Sequence, residues 1–320
     1  MDMITLRIRP LSPFGTPLIG DTLFGQLCWI IRHQSGVERL QTLLDGYLEN
    51  RPFAVVSSAF PAGYLQRPAL PLSEFIQPED ADRKRLKKRV WIPHSALAKP
   101  LKLWLLTACS DQDVTGNKDF GIQESWSQPH NSINRLTGTT GEGGFAPYAM
   151  EQIGFAPELL LDIHVVFDPM RLNENELLKW FEIIGVTGFG RDASIGLGKF
   201  AVENSAATKL VSQSHANAYL TLAPCAPQGC GFDASASYYQ PFTRFGRHGD
   251  AAVQSGKPFK TPALLAAAGA LLKPIEYKAA RYVGQGLGGN GLLSRAIPET
   301  VHQGYAPVIG VHLSNQEEKP

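Results

Sequence analysis

The stretch GFGRDASIGLGKF, residues 188–200, sets four glycines (Gly188, Gly190, Gly196 and Gly198) within eleven positions. Its first six residues, Gly188 to Ala193, satisfy the loose dinucleotide pattern G-x-G-x-x-G/A. The flanking segments decide what such a loop can do. A dinucleotide loop follows a strand and opens a helix, so that the helix N-terminus meets the pyrophosphate. Here the order is reversed. Upstream, NENELLKWFEIIGV (173–186) carries Leu177, Leu178, Phe181 and Ile184 on one helical face, and Asn173 with Glu176 has the pattern of a capping box. Downstream, GKFAVE (198–203) reads as a strand. Helix, glycine loop, strand is not a Rossmann order, which makes the fingerprint match accidental. A Walker loop is absent because no Gly-Lys-Ser or Gly-Lys-Thr occurs.

Working outward, ELLLDIHVVF (158–167) reads as a buried strand in which His164 is structural. MITLRIRP (3–10) alternates, with Ile4, Leu6 and Ile8 on one side and Thr5, Arg7 and Arg9 on the other. A helix is expected over GDTLFGQLCWIIR (20–32), with Asp21 as N-cap, a second over 36–49, and a strand over PFAVVSSAFP (52–61). From Pro61 to Pro157 the pattern weakens, and so long an irregular stretch reads as an insertion. Residues 204–217 read as a polar linker, followed by strand candidates at 218–224, 238–247, 275–284 and 306–313. A second glycine-rich stretch, GQGLGGNGLLSR (284–295), precedes the last of them. The expected fold class is α+β: tandem ferredoxin-like modules with glycine-rich loops and a large insertion in the first. The first module spans 1–205 with its insertion at about 61–157, and a degenerate second spans 216–320.

Composition narrows the function classes. Of 320 residues, 43% are hydrophobic and 18% charged, which describes a folded chain, and the net charge of +1 excludes a histone-like global polycation while leaving room for a local basic groove. The N-terminus lacks the apolar core of a signal peptide, and LLAAAGALL (264–272) is too short to span a bilayer, so a cytoplasmic protein is expected. Cys28, Cys109, Cys225 and Cys230 have no zinc-site spacing and read as free thiols.

A glycine-rich loop allows close backbone approach to a ligand, and with Arg191, Ser194 and Lys199 beside it the ligand suited to it is a phosphate; the alternative is a tight turn that needs positive φ. The run DRKRLKKRVWI (82–92) is either a solvated charged face or a contact for a phosphate backbone or an acidic partner. Tyr238, Tyr239, Phe242 and Phe245 interleave with Arg244, Arg247 and His248, a composition suited to stacking single-stranded bases, or else a strand that buries alternate aromatics. The eight histidines are scattered without metal spacing, and no GxSxG occurs. No catalytic set, metal or cofactor is expected.

Four stretches carry a family resemblance. GDTLFGQLCWII, PFAVVSSAFPAGYLQRPALP with its Ser-x-x-Phe-Pro, HNSINRLTGTT (130–140) with Ile-x-Arg-x-Thr-Gly, and the glycine loop 188–200 together resemble the RAMP superfamily of CRISPR-associated proteins. Within it, the chain is most similar to the fourth subunit of the type III-A, or Csm, effector complex. The resemblance implies two RRM-like modules and a non-catalytic subunit that holds the 5′ handle of crRNA. It also implies two protein partners, the large polymerase-like subunit and the backbone RAMP subunit, and no membrane. The residues then expected at RNA are Gly188, Gly190, Arg191, Ser194, Gly196, Gly198 and Lys199 in the first loop, and Asn131 and Arg135 in the insertion. From the C-terminal part come Arg244, Phe245, Gly284, Gly286, Gly288 and Arg295. Two other functions compete. One is a RAMP endoribonuclease that processes precursor crRNA with a histidine base. The other is a nucleotide-dependent small-molecule enzyme, against which the helix-then-loop order counts.

Overall fold

A computed structural model of the chain describes residues 1–79, 82–208, 210–249, 256 and 258–314. The alternation at the N-terminus forms β1 (Asp2–Pro10), with Leu6 and Ile8 fully buried. Helix α1 (Gly20–Leu44) joins the two expected helices, broken at Gly36, whose φ of 89° and ψ of 166° are not helical. β2 (Ala54–Pro61) follows. The insertion then contributes β3 (Tyr64–Gln66), α2 (Arg83–Lys88), β4 (Trp91–Pro93), α3 (Trp104–Thr107), α4 (Asp111–Thr115), β5 (Gln123–His130) and β6 (Tyr148–Phe155). After it come β7 (Leu161–Phe167), α5 (Glu174–Thr187) and β8 (Phe200–Ala207). The C-terminal part holds β9 (Ala218–Thr221), β10 (Pro241–Arg244), β11 (Ala263–Ala266), β12 (Leu271–Leu272), β13 (Tyr282–Gly288) and β14 (Val301–Val311).

The first sheet has the order β2-β7-β1-β8, all antiparallel. Leu6 faces Ile163 across β1–β7, and Val55 faces Val166 across β2–β7. β7 is buried at every position, as a central strand covered on both sides must be. α1 packs on β2, α5 packs on β8, and the two helices touch. The capping box of α5 is formed: Asn173 Oδ1 accepts from Glu176 N, and a Glu176 carboxylate oxygen accepts from Asn173 N. The second sheet has the order β12-β9-β14-β13, and no helix falls among the described residues from 216 to 314. The fold is thus α+β with multistranded antiparallel sheets. The sheets are joined by Gln303 of β14, wholly buried, whose side-chain amide bonds Val56 N and Val56 O of β2, each at 2.8 Å. That amide satisfies two backbone groups that a buried strand could not leave unpaired.

Several expectations change. The insertion is built rather than irregular: β3 pairs with β4, β5 with β6, and Leu65, Ile92, Trp104 and Leu105 are buried in one cluster with the core of the first sheet. Its helices run four to six residues, under two turns, β3 and β4 run three, and β5 is exposed on most of its length, so the period has little room to repeat. The polar stretch taken as a linker begins inside β8. The second glycine stretch starts as a strand: Gly284, Gly286 and Gly288 lie in β13, paired with Tyr305, Gln303 and Val301. A Cβ on Gly286 would come within 2.6 Å of Tyr47 O, so glycine there lets β13 lie against the turn after α1. Among the described residues no helix is long and apolar enough to cross a membrane.

Candidate nucleic-acid interface

A cleft of about 550 Å³ opens where three distant segments meet: the start of α1, the glycine loop after α5, and the chain around and beyond β10. α1 faces it with Thr22, Gly25, Gln26 and Trp29, spaced three, four and seven residues apart on the side away from Leu23, Leu27, Ile30 and Ile31. The glycine loop contributes Gly190 and Arg191. The β10 side contributes Arg244, Phe245, Arg247 and His248, with Lys260 and His302 closing the wall. Among the described lining residues Asp21 is the one carboxylate, set against Arg191, Arg244, Arg247 and Lys260.

Asp21 is not the N-cap of α1; Ile19 holds that place, and Asp21 sits in the first turn, where the helix dipole favours its charge. Its side chain is fully buried. Arg244 grips it through two hydrogen bonds, Nε to Oδ2 at 2.7 Å and an Nη to Oδ1 at 2.8 Å, and His302 Nε2 stands 3.2 Å from Oδ2. Burial is the largest single influence on the carboxyl and opposes its charge, but His302 and Arg244 together outweigh it and hold the carboxyl below its usual range. The Arg244 guanidinium also lies 4.7 Å from the centre of the Phe242 ring. Arg244, expected at RNA, therefore spends its fork on Asp21 and holds β10 against α1.

Phe245 next to it is 75% exposed and lines the cleft. Arg247 lies over Phe259 at 5.6 Å, and Arg32 over Trp29 at 5.2 Å. Burial pushes the Lys260 ammonium below its usual value. His248 Nε2 is 2.7 Å from Ser294 Oγ, and burial pushes its imidazole down, with Lys260 adding to the effect. Among the described residues no group of three His, Cys, Asp or Glu could hold a metal ion.

The glycine loop uses most of its own donors. Phe189 N bonds Gly198 O, Arg191 N bonds Thr16 Oγ1, and the N–H groups of Ile195, Gly196 and Leu197 turn back on Asp192 and Ala193. Gly198 N bonds Pro13 O, and Lys199 N bonds Ser12 Oγ. Asp192, at φ 63°, opens the short 3-10 turn Ala193–Ile195, so the loop keeps few backbone donors for a ligand. Arg191 donates to Glu151 O of β6 and lies 3.4 Å from Asp192. Ser194 and Lys199 are exposed, and Lys199 has no ion-pair partner among the described residues. Gly188 and Gly198 are filled in by chain, a Cβ meeting Leu197 O and Phe189 O, whereas Gly196 at φ 100° faces open space.

The remaining expected residues are dispersed. Asn131 and Arg135 are exposed on the β5–β6 connection, outside the cleft; that hairpin is anchored by two backbone bonds between Phe14 and Ile153. Gly284, Gly286 and Gly288 are packed within β13 and do not line the cleft. Arg295 is exposed beside Ser294, which bonds the cleft wall. Sequence reasoning missed Asp21 as an ion-pair partner, and with it Trp29, Lys260 and His302. The signal for Trp29 was present: Thr22, Gly25, Gln26 and Trp29 form a second stripe on α1 opposite the apolar one.

No family model matches the chain, and no curated protein matches it by sequence. Solved structures match it in fold. Over 98% of its length the chain superposes on 99% of a chain in the crystal structure of the Csm1-Csm4 cassette in complex with pppApA, at a TM-score of 0.60 and 16% identity. It superposes equally, 98% on 100%, on a chain of the Csm3-Csm4 subcomplex of the type III-A CRISPR-Cas interference complex, at a TM-score of 0.60 and 13% identity.

Proposed function

We propose that the chain is a non-catalytic RNA-binding subunit of a type III CRISPR-Cas ribonucleoprotein effector complex. It holds the 5′ handle of crRNA and docks the large polymerase-like subunit and the backbone RAMP subunit. The observation that carries this is the cleft: arginines and a lysine around one neutralised acid among the described residues, with the exposed Phe245 ring and Trp29 in its lining. Cations beside aromatic faces suit a single strand, whose phosphates and unstacked bases need those two partners. The fold shared with chains of the Csm1-Csm4 and Csm3-Csm4 assemblies supports the partners. We also read the second sheet as a degenerate ferredoxin-like repeat. Its four strands adjoin in the order second, first, fourth and third (β12-β9-β14-β13), where the first sheet read from β8 runs fourth, first, third and second, so the repeat is one of a four-stranded antiparallel sheet rather than of strand order.

Phosphate contacts position RNA without reading it, so a constant handle calls for base contacts as well. Phe245 and Arg247 in the cleft and Arg135 on the hairpin are the residues for them. The test is a reconstituted complex offered crRNA with native or scrambled handle and an intact guide. The native handle is expected to bind more tightly, with the preference reduced by Arg135→Ala or Phe245→Ala. Equal uptake of both RNAs at near-physiological salt would remove base readout.

One observation favours the endoribonuclease alternative: His248, His302 and Lys260 share the cleft. Both imidazoles are buried and turned to protein partners, Ser294 and Asp21, and a general base must reach the proton it takes. Single-turnover cleavage of a repeat RNA by the purified chain, abolished by His302→Ala, would establish that alternative instead.

A further inference from the structure

We infer that α2 is a second anion-binding surface, which takes the phosphodiester backbone of nucleic acid outside the cleft. Six of the seven residues from Arg83 to Arg89 are cations, and the exception, Leu86, is the anchor, 1% exposed. Arg83, Lys84, Arg85, Lys87 and Lys88 are all exposed. The helix is short but held at both ends. Asp82 accepts from Lys84 N at 2.9 Å, and the Arg67 guanidinium donates to Leu86 O and Arg89 O at 2.9 and 2.7 Å.

This arrangement sets like charges against one another. Arg83 with Lys87 and Lys84 with Lys88 stand one turn apart, and three cations occupy the first turn, against the helix dipole. Among the described residues none of the six forms an ion pair. The acid facing them is Asp113, whose carboxyl is held low first by the Ser110 N–H and hydroxyl and then by the charges of Arg89 and Arg85. A soluble surface ordinarily intersperses both signs. Six cations faced by Asp113 and capped by Asp82 leave a net positive run on a rigid anchor, a local conflict that a bound polyanion relieves, with counterion release as the driving force.

Dimensions and position favour nucleic acid over an acidic protein. The helix spans roughly 9 Å, the length of about three phosphates along one strand. The strands that flank α2, β3 and β4, send Gln66 and Trp91 into a hollow of about 270 Å³ that Phe60, Phe155 and Phe242 also line. Among the described residues the hollow and the cleft have no lining residue in common but adjoin along the chain: Pro17 to Ile19 of the hollow lie between Thr16 and Asp21 of the cleft, and Phe242 and Arg244 lie on the same strand, β10. The hollow thus sets half-buried Trp91, Phe155 and Phe242 between the start of α1 and the strands that flank α2. α2 would carry this role whether or not the cleft holds RNA.

The test is fluorescence anisotropy of a labelled single-stranded RNA on the full chain, titrated at several KCl concentrations. Replacing three of the six cations, Lys84→Gln/Lys87→Gln/Lys88→Gln, is expected to lower the slope of log affinity against log salt by about 2, from ~0.7 per phosphate contact. Over a fourfold rise in salt the variant then loses roughly 16-fold less affinity than the wild type. The matching Lys→Arg triple variant keeps the wild-type slope, and both variants keep the wild-type melting temperature. Phe245→Ala, in the cleft, lowers affinity at every salt concentration and leaves the slope alone; no effect there with a reduced slope for the lysine variant would overturn the cleft and uphold α2. A slope unchanged in the Lys→Gln variant overturns the proposal, including the case in which that variant instead loses an acidic protein partner.

Discussion

Replacing Asp21 by Asn is expected to destabilise the chain by about 3 kcal/mol, the lower end of the range for removing one partner of a buried pair. The carboxylate is fully buried, its two oxygens take both bonds of the Arg244 fork, and His302 stands beside it. An amide returns only one acceptor and turns an N–H₂ towards a guanidinium that then lies uncompensated. The loss stays near the low end because Arg244 keeps 18% of its side-chain surface in water. Urea unfolding followed by the fluorescence of the five tryptophans measures it. The double replacement Asp21→Leu/Arg244→Met is expected to recover most of the loss, since apolar substitutes for a buried pair are often neutral. The pair adds a pH signature. Its folded carboxyl lies below the unfolded value of 3.8, so its contribution is complete above that pH and is lost as pH falls through the folded value. The gap between wild type and Asp21→Asn should therefore hold from neutral pH to about 4 and close in stronger acid. A loss under about 1 kcal/mol, the figure for an exposed pair, would refute the reasoning, as would a double variant no better than the single one.

His164 is wholly buried, and burial pushes its imidazole down to about 3 from 6.5, so protons favour the unfolded chain between those values and stability falls as pH drops through them. The slope contributed is at most ~1.4 kcal/mol per pH unit, and melts at stepped pH should show it flattened in His164→Gln; an equally steep acid limb would mean that His164 does not carry it. Phe245→Ala should weaken single-stranded RNA binding by ~1–3 kcal/mol, about 5- to 150-fold, with an unchanged melting temperature because the ring is exposed; undiminished affinity by anisotropy counts against the cleft. Gly190→Val should lower the melting temperature, since φ is +79° and a Cβ would fall 2.5 Å from Thr16 Cβ, while Gly196→Ala, in open space, should cost only the backbone strain of ~1–3 kcal/mol. Comparing their thermal melts checks the pair, and equal losses would show that the Thr16 contact is immaterial.

Much of the first sheet was legible because its elements are long enough to repeat their period. β1 alternates over nine residues, β7 is a continuous apolar run, and α5 carries both its apolar face and its capping box within one segment. The order of helix, glycine loop and strand is local too, and it alone removed the dinucleotide reading of residues 188–193. The insertion was not legible, because elements such as β3 and β4 are three residues long and gain their meaning only from pairing with each other. In β13, glycine looked like a loop signal; its use is the close approach of Tyr47, a neighbour that sequence proximity does not supply.

The cleft divides the same way. The sequence already names the residues that could bind a polyanion: the arginines and aromatics near 242–247, the cations of 83–89 and the glycine loop are matters of residue type. It also determined the second stripe on α1, since helical spacing places Thr22, Gly25, Gln26 and Trp29 together. Which of those cations are free follows from packing across the two sheets. Asp21 and Arg244 are separated by 223 residues, and each is unremarkable in its own segment, an acid in a first helical turn and a basic residue among aromatics. Their pairing depends on two sheets packing through Gln303 and Val56, because an ion pair forms where the fold brings charges together in the absence of water, and that is a property of packing rather than of any local run of residues.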